Sequence, residues 1–394
     1  MSIMLNLFFL VSFQLGTDSA VYDGESNISI EEAKRLAYSR DVLILDNIKN
    51  INPDVALAIG CYSNSILSLN GLQELSDPVS KSLANHKGGW LILGGLKEIS
   101  PDSARNLSRS RCHYLVLSGL KKISPKVAME LAKFNGLNIS FNGFNEIDDE
   151  SAKYLANFKG RLGLDGVANI SNTTSTHLKN HKGRYLTLNS LRNVNEVVSK
   201  NLGDYTGTLE LNGISALEKN SAKNLATLKG NLSLNGLKTL PLDVAAELSE
   251  FKYGLLIDGI TTLEQEVFDQ ISKFKATSVS ISGIKSLSKE NADSISRFKG
   301  GFIRIDGVSK IEPLVLNGLS SFKGIIGLGG IKTIDKSFAK EVANLNCKTI
   351  IMDNLQYIDD ETLVEIIKYR VKLVFNQNIL TDSQRSKLNP SNFR

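Results

Sequence analysis

One internal repeat of 23 or 24 residues dominates the sequence and constrains its fold more than any other feature. The core of the repeat is an L-x-L tripeptide, with Ile or Val in place of Leu in several copies, and successive cores are always 23 or 24 residues apart. A period held over 330 residues predicts a solenoid of stacked units with no separate globular domain. The cores begin at Leu43, Leu67, Leu91, Leu115, Ile139, Leu162, Leu186, Leu209, Leu232, Leu255, Val279, Ile303, Ile326, Ile350 and Leu373.

The first half of each repeat reads as a short strand that ends in a turn. Leu232 and Leu234 alternate with polar residues, which is typical of a half-buried strand. Gly236 has a glycine equivalent in ten other repeats, and this predicts a left-handed backbone where the chain leaves the strand. The residue before this glycine position is Asn or Asp in 11 of 15 repeats, so we expect short polar side chains to bond the turning backbone.

The second half of each repeat reads as a short helix. Ser124-Pro125 supplies a capping hydroxyl and a proline suited to the first helical position. Ala152, Leu155 and Phe158 follow at intervals of three and predict one buried stripe. Lys159-Gly160 and similar pairs are interpreted as the signal that ends the helix. The predicted fold is therefore an α/β repeat solenoid, with a parallel sheet on one face and short helices on the other.

Residues 28–385 resemble leucine-rich-repeat proteins, because they share with them the L-x-L strand, the repeat length and the helix on the return limb. The chain departs from the common pattern where Leu237 occupies the place of the inward asparagine, which makes it more similar to divergent bacterial arrays. The resemblance implies a non-catalytic scaffold that binds a protein, or alternatively a glycan, on its sheet face. It implies no catalytic residue and no cofactor.

The sequence predicts four segments: a signal peptide at 1–20, an N-terminal capping half-repeat at 21–42, a solenoid of fourteen repeats at 43–372, and a C-terminal capping repeat with a tail at 373–394. The range 1–13 is an apolar run of signal-peptide length, and small residues precede a cleavage point after Ala20. We therefore expect an exported protein, secreted or displayed at the surface. Asp18 and the lack of a basic residue before the run leave an intracellular scaffold with an uncleaved N-terminus as the alternative.

Composition narrows the classes of function. The formal net charge of +5 over 394 residues is too small to suggest a nucleic-acid binder. No other segment has the length of apolar sequence that a membrane span needs. The three cysteines are too few for a disulfide framework.

His86 and His181 stand where other repeats carry Phe, so we interpret them as packing residues. His177 and His181 have the spacing of metal ligands on a helix, but we predict no metal site.

The outward positions of the early strands predict a binding surface. Side chains that flank the inward Leu residues point away from the core, and in the early repeats these side chains are apolar and include the single Trp. A contiguous apolar and aromatic patch is a reasonable partner site. The candidate ligand-binding residues are Ile66, Trp90, Ile92, Tyr114 and Val116.

Two weaker alternatives remain open from the sequence. A row of Lys residues before the loop glycines could meet an anionic partner, although helix capping explains the same residues. Asp258, Asp306 and Asp353 could form the carboxylate pairs of a carbohydrate-active enzyme, although they occupy the general Asn/Asp turn position. The Lys row comprises Lys87, Lys159, Lys182, Lys229, Lys299 and Lys323.

Overall fold

The computed structural model describes residues 19–386 except 23, 25, 39–41, 62–64, 343 and 369–371. Most of the predicted signal peptide and the end of the predicted tail lie outside the described residues. The chain forms two compact units, one comprising residues up to 167 with 180–186, and the other comprising 168–179 with 187 onward. In both units, strands of two to four residues alternate with helices of five to eight residues.

The first unit contains strands β1 to β7 and helices α1 to α6. Its strands pair in chain order and every pair is parallel, with the inward residues Leu43, Leu67 and Leu91 in register. The elements are β1 Ser19–Val21, α1 Ile30–Ala37, β2 Val42–Ile44, α2 Pro53–Gly60, β3 Ile66–Ser68, α3 Asp77–Leu83, β4 Trp90–Ile92, α4 Pro101–Ser108, β5 Tyr114–Val116, α5 Pro125–Leu131, β6 Asn138–Ser140, α6 Asp149–Leu155 and β7 Arg161–Gly163.

The second unit repeats this arrangement with α7 to α16 and β9 to β16, and β8 (Tyr185–Thr187) lies where the chain passes between the units. Its strands are parallel and in chain order as well. The elements are α7 Asn172–Leu178, α8 Glu196–Gly203, β9 Thr208–Glu210, α9 Lys219–Leu225, β10 Leu232–Ser233, α10 Leu242–Leu248, β11 Gly254–Leu256, α11 Gln265–Ile271, β12 Ser278–Ser280, α12 Lys289–Ser296, β13 Phe302–Arg304, α13 Pro313–Gly318, β14 Ile325–Gly327, α14 Lys336–Val342, β15 Thr349–Met352, α15 Asp360–Ile367, β16 Lys372–Phe375, a 3-10 turn at Gln377–Ile379 and α16 Asp382–Ser386.

The core of each unit lies between its sheet and its helices, as the alternation of apolar residues predicts. Leu91 in the first unit and Leu232 and Leu234 in the second are fully buried. Neither a three-residue strand nor a seven-residue helix buries enough apolar surface to be stable alone, so each depends on the neighbouring repeats. The predicted α/β solenoid of the leucine-rich-repeat type is confirmed as the architecture of both units.

The predicted helix starts are confirmed, but the predicted helix ends are wrong. Ser124 caps α5 by accepting a hydrogen bond from the Val127 amide, and Ser29 caps α1 in the same way. Helix α6, however, ends at Leu155, so Lys159-Gly160 lies in the loop that leads to the next strand. Phe158 also lies in that loop, and it reaches the core from there with no exposed surface.

The turn glycines have a different role from the predicted one. Among the described residues no glycine has a positive φ, so the left-handed conformation predicted at Gly236 is wrong. A β-carbon at Gly236 would instead lie closer than 3.0 Å to the carbonyl oxygens of Asn212 and Ile214 in the preceding repeat. The same crowding occurs at Gly71 and Gly330 in the two units. The glycine is needed because the backbones of adjacent repeats approach each other closely at this turn.

A row of buried aromatic side chains lines the loops after the helices, and histidine replaces phenylalanine in it twice. His86 and His181 are buried at the Phe position, which confirms that they are packing residues. The Nε2 atom of His181 lies 3.1 Å from the carbonyl oxygen of Gly160. The buried phenylalanines are Phe134, Phe158, Phe251, Phe274, Phe298 and Phe322.

The buried His181 should make stability depend on pH. Burial lowers the pKa of His181 to about 4, whereas an exposed imidazole has a pKa of about 6.5. Between these values the unfolded chain binds the proton and the folded chain does not, so the free energy of unfolding falls as pH drops from about 6.5 to about 4. We expect this loss to be about 3 kcal/mol, and His181→Phe to remove it.

Urea unfolding of the native chain and of His181→Phe at pH 7 and at pH 4.5 measures this dependence. The carboxylates titrate in both proteins, so the difference between the two pH dependences isolates His181. Equal losses of stability in both proteins would contradict the prediction.

Candidate functional site

The five predicted binding residues lie together on the outward face of β3, β4 and β5. Ile66, Trp90 and Tyr114 are in register across the three strands. Ile92 and Val116 form a second row two residues further along the strands, opposite Ser68. We call these five residues the aromatic patch. The short strands and their exact parallel register place side chains that are 24 residues apart in sequence about 5 Å apart in space.

Two rings form the centre of the aromatic patch. The ring centroids of Trp90 and Tyr114 are 4.1 Å apart and the ring planes differ by only 9°, so the rings are stacked. One face of each ring is therefore covered by the other ring. The edge of the His113 ring approaches Tyr114 at a centroid distance of 6.5 Å. Stacking fixes both large side chains before any partner binds, which lowers the entropic cost of an interface.

The aromatic patch is more covered than the sequence predicts. Ile66 keeps only 8% of its surface exposed and belongs to the core, so the expectation that its side chain is exposed is wrong. Trp90, Ile92, Tyr114 and Val116 are half-buried. Ile66 lies between Val42 and Trp90 in register, and its burial depends on neighbouring repeats, which the pattern of a single strand does not reveal.

Asn and Asp side chains at the strand ends form a ladder between repeats. The Oδ1 atom of Asp46 accepts hydrogen bonds from the Asn70 amide at 2.9 Å and from the Ser68 hydroxyl at 2.6 Å, both in the following repeat. Asn70 in turn accepts a bond from the Gly94 amide at 2.8 Å. The predicted bonding of the turn backbone is thus confirmed, but each side chain bonds the next repeat rather than its own turn.

The second unit contains the same Asn/Asp ladder. Asn212 Oδ1 accepts bonds from the Asn235 amide and the Ser233 hydroxyl, and Asn235 Oδ1 accepts one from the Asp258 amide. Ser282 substitutes for Asn or Asp and its hydroxyl accepts from the Asp306 amide at 3.2 Å. The ladder joins successive turns at the outward edge of the sheet and supplements the main-chain bonds of very short strands.

The carboxylates considered for catalysis are members of this ladder. Asp258 accepts bonds from the Ser280 hydroxyl and the Ser282 amide, and Asp306 accepts one from the Gly329 amide at 2.7 Å. Burial raises the pKa of Asp306, and the Gly329 amide and Arg304 oppose that shift. Their structural role accounts for the presence of both residues at this position.

The Lys row is the remaining candidate from the sequence. The Lys row is exposed in each unit, at Lys87 and Lys159 in the first and at Lys229 and Lys299 in the second. In the part of the chain that the structure describes, no group of three or more His, Cys, Asp and Glu residues could hold a metal ion. Nor does any helix in these ranges have the length and apolarity that crossing a membrane requires.

Sequence reasoning missed three polar residues beside the aromatic patch. Asn138 and Ser140 lie on β6, next to Tyr114 and Val116, and are almost fully buried although they lie on the outward face. Asn142 follows at the strand end. The available signal was the Asn/Asp row itself, because Gly94 and Ser118 interrupt it in the repeats just before Asn142.

Comparison with known proteins adds distant structural likeness. No protein-family model matches the chain, and no curated protein does. A solved internalin, InlF, from Listeria monocytogenes is similar with 17% identity and a TM-score of 0.35, over 87% of this chain and 88% of that one. A solved complex of TLR13 with ssRNA13 is similar with 15% identity and a TM-score of 0.41, over 91% of this chain and 62% of that one. The assignment of a leucine-rich-repeat type of fold therefore depends on the repeat, the register and the two layers described above.

Proposed function

We propose that this protein is a non-catalytic scaffold that binds another protein through the aromatic patch of its first unit. The observation that carries the proposal is the stacked pair of Trp90 and Tyr114, half-buried on an outward sheet face beside Ile92 and Val116. Large, rigid aromatic side chains surrounded by apolar ones are typical of the centre of a protein interface. The solenoid supports them on short strands in fixed register.

The geometry favours a protein over a glycan as the partner. Sugars commonly pack flat on an open aromatic face, and here one face of each ring is covered by the other ring at 4.1 Å. The stacking leaves one face and the edges of each ring for a partner, and this mixed surface suits the side chains and backbone of a polypeptide. A glycan remains the second candidate, tested by the same experiment.

Truncation of both rings should abolish partner binding. Capture of proteins from the surroundings of the host cell with residues 21–394 identifies the partner, and calorimetry measures its affinity. We expect Trp90→Ala/Tyr114→Ala to weaken that affinity at least 100-fold, since central aromatic residues contribute about 2–4 kcal/mol each.

The second unit offers a matched control variant. Phe302 and Ile325 occupy the same register position on the adjacent strands β13 and β14. Phe302→Ala/Ile325→Ala should leave the affinity unchanged within twofold. If the control variant loses the partner and the Trp90/Tyr114 variant retains it, the proposed location is wrong. Release of the partner by glycosidase treatment would favour the glycan.

We also propose that the protein is exported, on the strength of the apolar run and the small residues before Ala20. Ser19–Val21 form β1 and pair with β2, so cleavage after Ala20 would divide this strand. Mass spectrometry of the protein from its host tests the proposal. A mature N-terminus near Val21 in an extracellular fraction supports export, whereas an intact Met1 in the cell interior supports the alternative of an intracellular scaffold.

A further inference from the structure

The Asn/Asp ladder is interrupted beside the aromatic patch. Gly94 and Ser118 stand at the ladder position in the two repeats that carry Trp90 and Tyr114. Gly94 has no side chain, and Ser118 is shorter than the Asn or Asp that occupies the position elsewhere. Since each ladder residue serves the repeat that follows it, the interruption removes acceptors from the outward side of β5 and β6.

Polar atoms on β6 and just after it lack partners beside this interruption. Among the described residues, both side-chain amide atoms of Asn138, the Oγ atom of Ser140 and the Oδ1 atom of Asn142 are buried without a hydrogen-bond partner. These three residues alternate along the chain, so their side chains share the outward face. Asn138 and Ser140 are each only 1% exposed. We call these three residues the polar cluster.

Serines at the same position in other repeats show which hydrogen bond Ser140 lacks. Ser68, Ser233 and Ser280 occupy the position of Ser140 in other repeats, and each donates its hydroxyl to the ladder residue of the preceding repeat. The acceptors are Asp46 at 2.6 Å, Asn212 at 2.7 Å and Asp258 at 2.5 Å. The acceptor that would serve Ser140 is at position 118, where this chain has Ser. Buried polar groups without partners destabilise a fold and are uncommon, so four such atoms together point to a bound group that supplies the bonds.

We propose that the polar cluster binds a neutral amide group of the protein partner, either a peptide group or the side chain of an Asn or Gln. This inference rests on the proposed protein-binding function and names the chemistry of the partner at the same sheet face. Tyr114 stands between Trp90 and Asn138 in register, so the aromatic patch and the polar cluster are adjacent on the same sheet face. The apolar part would anchor the partner, and the polar cluster would fix its register.

The hydrogen-bond donors and acceptors of the polar cluster match those of an amide group. Asn138 offers a donor and an acceptor, Ser140 offers both, and Asn142 offers an acceptor, so the complementary group must also donate and accept. A carboxylate only accepts and would face the two amide oxygens, whereas an ammonium only donates and would leave the Asn138 Nδ2 atom unpaired.

The strand next to β6 carries no side chain opposite Ser140. Gly163 is in register with Ser140, and a β-carbon at Gly163 would lie 3.1 Å from Asn142 Oδ1 and 3.4 Å from Ser140 Cα. The side chain of Asn142 therefore lies over a position that has no side chain of its own. Rotation of this half-buried side chain away from Gly163 would make room for a small planar group beside Ser140.

Ligand-observed fluorine NMR on the full chain tests the proposal with four small probes. Trifluoroacetamide represents an Asn or Gln side chain, and N-methyltrifluoroacetamide represents a peptide group. Trifluoroacetate and trifluoroethanol carry the same apolar group with an anion or a hydroxyl. We expect the amides to bind in the millimolar range, as their few atoms allow, and at least fivefold more tightly than the other two probes. The tighter of the two amides tells which source of the group the site prefers.

Ser118→Asn restores the ladder and is the decisive variant. Its amide oxygen should accept the Ser140 hydroxyl, as Asn212 accepts that of Ser233, and so compete with the ligand. We expect Ser118→Asn to weaken amide binding at least fivefold and to raise the unfolding midpoint by about 1–2 °C. Ser118→Ala, the matched control, should change neither value.

The outcomes separate this inference from the proposed function. Absence of amide binding at 100 mM probe, equal binding of all four probes, stronger binding of trifluoroethanol, or amide binding that Ser118→Asn leaves unchanged would each overturn the inference. The protein partner itself is then tested with the same variants. If Trp90→Ala/Tyr114→Ala abolishes partner binding and Ser118→Asn does not, the proposed function is supported and the proposed amide site is wrong.

Discussion

Gly236→Ala should destabilise the protein by about 3 kcal/mol or more, although the substitution adds a single methyl group. The new β-carbon would lie closer than 3.0 Å to the carbonyl oxygens of Asn212 and Ile214. Both obstacles are backbone atoms, which cannot rotate away as a side chain can, so the turn and its neighbour must separate. Separation would also strain the ladder bond from the Asn235 amide to Asn212. Urea unfolding followed by circular dichroism measures the loss.

Gly301→Ala in the same unit is the matched control. A β-carbon at Gly301 would meet only the Thr277 carbonyl oxygen, at an ordinary 3.8 Å, and Gly301 is exposed. We expect this variant to stay within about 0.5 kcal/mol of the native chain. Equal destabilisation by the two substitutions would show that close approach of the repeats is not the reason for Gly236, because the lost conformational freedom of the unfolded chain would by itself stabilise both variants.

Phe158→Ala should destabilise the first unit by about 3–5 kcal/mol. The Phe158 ring is fully buried and stacks on Phe134 with centroids 6.2 Å apart, so its loss leaves a cavity and an unpaired neighbour. The surrounding short helices and strands are fixed by the repeats on either side, which limits their collapse into the cavity. Thermal unfolding followed by circular dichroism gives the change in midpoint, and urea unfolding gives the free energy.

Leu137→Ala is the corresponding surface control. Leu137 belongs to the same unit but is 58% exposed, so we expect a change of less than about 0.5 kcal/mol. A large loss in Leu137→Ala, or a small loss in Phe158→Ala, would show that the loop aromatics do not form the core of the repeats.

The candidate site was only partly predictable from the sequence. The register of the repeats was enough to bring Trp90 and Tyr114 onto neighbouring strands, because a fixed period places equivalent residues side by side. The burial of Ile66 was not predictable, because it depends on packing against neighbouring repeats. The polar cluster was also hidden, since a missing hydrogen bond becomes visible only when donors and acceptors are placed in space.

The turn glycines also show the difference between what the sequence predicts and what only the structure reveals. The recurrence of Gly236 within this one chain predicts a left-handed backbone, but the structure contains no such conformation among its described residues. The Lys159-Gly160 pair predicts the end of a helix, but that helix ends at Leu155. In both cases the sequence pattern was real, and local propensity was the wrong physical explanation for it.

The sequence by itself determined the period, the parallel strands, the capped helix starts and the apolar core, because these follow from hydrophobic alternation and from side chains that act within a few residues. Only the tertiary structure decided why the glycines are required, where the helices end and where the Asn/Asp side chains bond. These features arise between repeats, through contacts of residues about 23 positions apart, such as Asn212 with Asn235. Single-residue propensities do not describe such contacts, because the contacts depend on how one backbone turn packs against the next.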